Sequence, residues 1–154
     1  VTNRFATAGL LAFTLAGCGK DAPVPVPPPT GSAVVQDDAS RIRGLWAAVA
    51  LRREEGKPDE IPGNYTVRFE NGNYTMQLGA DSTESGKFTL LPTVSPKQID
   101  METNENELRR GLYALDGDKL TICLPDQTGA PRPAEIKALA EGNRITVVTF
   151  TRTK

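Results

Sequence analysis

The sequence predicts an all-β fold, an antiparallel up-and-down barrel of about eight strands. From Arg41 onward, apolar and polar side chains alternate with period two over several short runs. Such alternation gives each strand one apolar face. Turn signals separate the runs, and few intervening segments are long enough for the helical crossovers that parallel pairing demands. Seven or eight consecutive strands of this kind bury their apolar faces, and lose their exposed edges, by closing into a barrel.

In chain order, the first element is a short apolar run from Phe5 to Leu15 with Arg4 at its front, interrupted by Thr7 and Thr14. A membrane-crossing helix needs about 20 apolar residues, so length and flanks fit the apolar region of a cleaved signal better. Leu15-Ala16-Gly17-Cys18 follows. Small residues at 16 and 17 suit a peptidase that accepts only short side chains, and Cys18 supplies a thiol for a diacylglyceryl group. Residues 1–17 therefore resemble a bacterial lipoprotein signal peptide, with Cys18 as the lipidated N-terminus and the membrane as its partner. The opening Val1 fits an alternative start codon or an incomplete first region. Gly19 and Lys20 lack the aspartate that retains some lipoproteins in the inner membrane, which points to the outer membrane, facing the periplasm.

Residues 18–40 read as the lipidated cysteine and a tether. Pro23, Pro25, Pro27, Pro28 and Pro29 favour extended polyproline geometry, and Thr30 to Ser40 is mostly small and polar. A stalk holding a domain off the membrane is the expected role.

The domain proper is read as 41–154. Tyr65, Val67 and Phe69 alternate with Thr66, Arg68 and Glu70, then Tyr74, Met76 and Leu78 with Thr75 and Gln77. Phe88 with Leu90, Ile99 with Met101, and Leu120, Ile122 and Leu124 repeat the pattern. Asn71-Gly72 suits a two-residue hairpin turn with positive φ, and Asp116-Gly117-Asp118 suits another. Pro133 to Gly142 carries proline first, helix formers and a closing glycine, the marks of a short helix. A brief edge strand over Ala134 to Lys137 is the alternative.

Composition excludes several function classes. Without residues 1–17 the chain has 17 Lys+Arg and 19 Asp+Glu, a net charge of −2, with no electrostatic footprint for nucleic acid. The absence of histidine removes Ser-His-Asp and Cys-His pairs and imidazole acid–base catalysis. Neither a cofactor nor a metal site is expected. With Cys18 lipidated, Cys123 has no internal partner for a disulfide. Cys123 is out of phase with Leu120, Ile122 and Leu124, so it should face away from the interior, buried beneath the 125–142 connection.

Gly44-Leu45-Trp46, at the head of the first strand, resembles the Gly-x-Trp signature of lipocalins. With Arg43, the blocks Ser95 to Asp100 and Gly111 to Cys123, and Arg132-Pro133, the stretch 41–154 resembles a lipocalin-like domain family of planctomycete bacteria. The resemblance implies a lipocalin-like barrel and no established activity. It also favours the strand over the helix for Ala134 to Lys137, because that segment reads as a strand in the family.

Trp46 is expected to plug the barrel floor. Arg132 is expected to lie over its ring, or to pair with Asp116 or Asp118, closing the barrel; the alternative is a clamp on a ligand carboxylate. The large inward set, including Tyr65, Phe69, Tyr74, Phe88 and Tyr113, argues for a filled or nearly filled interior. The expected function is that of a membrane-anchored, non-catalytic envelope lipoprotein acting through protein or surface contacts. Binding of a small apolar ligand inside the barrel is the alternative, and an enzyme the least favoured class.

Overall fold

The computed structural model describes residues 37–154. Cys18, the signal segment and the proline run lie outside them. A short helix, α1 (Asp38–Arg41), leads into nine strands: β1 (Gly44–Glu54), β2 (Lys57–Asp59), β3 (Thr66–Glu70), β4 (Asn73–Gln77), β5 (Thr83–Leu91), β6 (Gln98–Thr103), β7 (Leu108–Asp116), β8 (Lys119–Pro125) and β9 (Ile145–Arg152). All pairings are antiparallel. β1 pairs with β3 at its start and with β9 along most of its length, which closes an eight-stranded barrel. β2 is an additional strand folded back on the end of β1. The expected up-and-down barrel is the fold.

The hairpin at Asn71-Gly72 has φ of 49° and 78°, the paired positive values of a turn whose twist matches its strands. At Gly86 a Cβ would lie 1.9 Å from the Glu102 carbonyl oxygen, so β5 and β6 approach there only because position 86 has no side chain.

Alternation decides what is inside. Trp46, Val67, Phe69, Tyr74, Met76, Ile99, Met101, Tyr113, Leu120, Ile122 and Phe150 belong to one buried cluster, with Tyr65 and Phe88 packed against it. Fully burying one large apolar side chain contributes roughly 1.5–3 kcal/mol. On β1 the register slips between Ala48 and Ala50. This bulge moves the inward phase from Trp46 and Ala48 to Leu51.

A second, smaller cluster lies on the outer face of the sheet. Leu112, Cys123, Ala138 and Val147 pack there beneath the 126–144 connection. Cys123 is thus buried and faces away from the barrel interior, as its phase predicts.

Two expectations need correction. The segment Ala134 to Lys137 is neither helix nor strand; it is a series of bends, followed by a single bridge between Leu139 and Ile145. Side-chain anchors hold it instead, with Ala138 in the outer cluster and Lys137 paired to Glu55 at 2.9 Å. Residues 37–40, expected to belong to a tether, are part of the folded domain. Asp37 caps α1 by accepting from the Ala39 N–H, and Asp38 is 3% exposed.

Candidate functional site

The two ends of the barrel differ. The starts of β1, β4 and β8 meet the ends of β3, β7 and β9 at one end, and this end is sealed. Trp46 is wholly buried and its indole N–H donates to the Ile42 carbonyl at 2.7 Å. Arg152, the last inward position of β9, holds its guanidinium 4.2 Å from the indole ring centroid. It also donates to the Arg43 carbonyl at 2.6 Å, to the Arg41 carbonyl, and to Asp118 at 3.1 Å. Asp38 on α1 accepts from Lys97 Nζ at 2.7 Å and from the Tyr113 hydroxyl at 2.8 Å, with Arg41 Nη1 at 3.4 Å. Burial alone would raise the Asp38 pKa. The two hydrogen bonds and the Lys97 and Arg41 charges outweigh it and hold the carboxyl below its ordinary value. The same bond, added to burial, pushes the Tyr113 phenol up.

At the opposite end the interior opens as a cup of about 330 Å³. Leu51, Met76, Ile122, Val148 and Phe150 form its apolar lower wall, and Arg53, Arg109, Asp126 and Thr146 contribute polar groups. Tyr65 stands between them. Its ring meets Phe150 edge-on, with centroids 5.7 Å apart. Its hydroxyl has Met76 Sδ at 3.6 Å, a weak acceptor. Burial raises the Tyr65 pKa to about 12.

Arg109 pairs with Glu84, which also accepts from the Tyr74 hydroxyl at 2.7 Å. Burial and this bond to a carboxylate push the Tyr74 phenol upward. Thr146 donates to Asp126 at 2.6 Å. Arg53 forms no ion pair among the described residues; its backbone N–H is held by Asp59 at 2.7 Å.

The sequence candidates divide between these places. Trp46 plugs the floor. Phe69 and Phe88 pack against each other at 4.8 Å, Tyr74 lies opposite Gly86, and Tyr113 reaches Asp38. Of the candidate residues, Tyr65 alone lines the cup. The interior is therefore filled at the Trp46 end and open at the other, not filled throughout.

Arg132 is not at the floor. It lies on the outer wall, donating to the Gly111 carbonyl at 2.6 Å, the Ile99 carbonyl at 3.3 Å and Asp100 at 2.6 Å. These bonds staple the 126–144 connection to β6 and β7. The contact expected between Arg132 and Trp46, and the pairing with Asp118, are both made by Arg152.

The phase of the strands could have located the charged residues. Arg152 continues Val148 and Phe150, Arg109 continues Tyr113 and Gly111, and Arg53 continues Leu51. Asp38 carries no comparable signal, because acidic residues in a polar stretch look like spacer. Among the described residues no group of three or more Cys, Asp or Glu is placed to hold a metal ion. No family model, curated protein or solved structure matches the chain.

Proposed function

We propose that the chain is a non-catalytic lipoprotein of the bacterial cell envelope, anchored through Cys18, whose barrel holds one small apolar molecule in its open cup. The observation that carries this reading is the cup itself. Its volume of about 330 Å³ falls at the small end of ligand pockets, which run roughly 300–1,000 Å³. Its lower wall is apolar and its polar groups are confined to the upper part, the usual distribution in small-molecule sites. The described chain enters the barrel at the sealed end, through α1 and Trp46, and the cup lies at the other end. The placement of Gly44-Leu45-Trp46 at the floor supports a lipocalin-like origin.

The test uses Gly19–Lys154, which retains the whole barrel and both buried clusters. Neutral N-phenyl-1-naphthylamine should brighten on binding with one site per chain. Leu78→Trp, which fills the mouth from a half-buried position, should abolish that signal without lowering the melting temperature. A wild-type protein that leaves the dye dark, or a variant that binds it undiminished, would sink the reading.

A second reading, contact with another envelope protein, is favoured by one feature. Ile136 and Leu139 are both exposed on the 126–144 connection. Replacing both with serine should weaken such a contact while leaving dye binding in the cup intact.

A further inference from the structure

We infer that the molecule held in the cup is an anionic amphiphile, an apolar chain or ring ending in a carboxylate, received by Arg53 and the Tyr65 hydroxyl. This rests on the reading of the cup as a ligand site and narrows it to a ligand class.

The donors and acceptors around the cup select the head group. Arg109 is neutralised by Glu84, which accepts from Tyr74 as well, so these three groups form wall rather than receptor. Asp126 accepts from the Thr146 hydroxyl and keeps its charge, exposed at the rim. Two donors are left at the cup without a strong acceptor. Among the described residues the Tyr65 hydroxyl faces only a thioether, and its ring is braced against Phe150. Arg53 reaches the cup because the β1 bulge sets its inward phase, and its guanidinium has no carboxylate partner among the described residues.

Two unmatched donors above an apolar floor select an acceptor-ended ligand. An alcohol or ester engages the phenol alone. A carboxylate engages both, and hydrogen bonds between a guanidinium and a carboxylate are roughly twice as strong as neutral ones. A cationic head meets Arg53 as a like charge. Its only counter-charge among the described lining residues, outside the Arg109–Glu84 pair, is Asp126, already bonded to Thr146 and exposed to water. The volume of the cup suits one short chain or small ring system and excludes a multi-chain lipid.

Calorimetric titration of Gly19–Lys154 with decanoate, decanol and decyltrimethylammonium at one ionic strength tests the inference. Decanoate should bind at least tenfold more tightly than decanol, and the cation least. Arg53→Met, which preserves the apolar stem, should bring decanoate down to the level of decanol. Tyr65→Phe should weaken decanoate several-fold. Equal affinities for decanoate and decanol, a decanoate affinity indifferent to Arg53→Met, or tightest binding of the cation would each overturn the anionic head while leaving the cup a binding site. Failure of all three ligands to bind would overturn both.

Discussion

Arg152 covers Trp46 with its guanidinium 4.2 Å from the indole centroid, and so joins the last strand of the barrel to the first at the sealed end. Its donors also reach the carbonyls of Arg41 and Arg43, in the segment that carries the chain into β1. A cation over indole contributes about 0.5–2 kcal/mol, and hydrogen bonds from a charged donor about 1.5–3 kcal/mol. The Asp118 pair adds little, because that carboxylate is largely in water. Arg152→Ala should therefore lower the unfolding free energy by about 2–4 kcal/mol in urea titrations. Arg152→Lys should recover only part of the loss, since an ammonium lacks the planar fork that serves ring and carbonyls together.

Asp38 makes the same end sensitive to acid. Its folded pKa lies below the unfolded 3.8, so its contribution is present above about pH 4 and is lost as pH falls through the folded value. Asp38→Asn should lower stability at neutral pH and flatten the acid limb of the stability curve. Melting temperatures from pH 7 to pH 2 would show this as two curves that converge in acid. Curves that remain parallel would mean that the carboxylate contributes no pH-dependent stability.

The barrel was legible because its strands follow period two with few exceptions, and because Asn71-Gly72 and Gly117 mark their turns without ambiguity. Trp46 was legible from its neighbours Gly44 and Leu45. Arg152, Arg109 and Arg53 were overlooked because a charged residue ends an apolar run by composition, although it continues the run by phase. The exchange of Arg132 for Arg152 has the same origin. Arg132 stands beside a proline in an irregular segment, where no periodicity indicates the face its side chain meets. The bulge at Ala48 to Ala50 leaves no signal in the local sequence, yet it turns Leu51 and Arg53 inward and so places Arg53 at the cup.

All three tyrosines of the chain lie in the barrel, and each has a pKa above the ordinary 10. Burial leads in every case, and carboxylate partners reinforce it at Tyr74 and Tyr113. A raised folded pKa contributes stability that is full below pH 10 and is lost as pH rises toward the folded value. Alkaline titration followed at 295 nm should therefore show little phenolate at pH 11. Ionisation of all three should then appear together with the loss of near-ultraviolet dichroism. Any tyrosine titrating near pH 10 in the folded protein would contradict its burial.

The Arg132 staple and Cys123 together give a reporter for the outer connection. The Cys123 thiol is buried in the outer cluster, with the Glu135 and Lys137 carbonyls at 3.7 and 4.0 Å, and burial pushes its pKa up. In the intact protein it should react with a thiol reagent only through local opening of the 126–144 segment. Arg132→Ala removes the bonds to Ile99, Gly111 and Asp100 that hold this segment at its start, and leaves two sheet carbonyls short of a donor. Labelling of Cys123 should then accelerate at least tenfold, while the Trp46 end and its fluorescence stay unchanged. Arg152→Ala should do the reverse, loosening Trp46 without exposing Cys123 in the native state. If Arg132→Ala perturbed Trp46 and left Cys123 protected, the outer staple would be disproved.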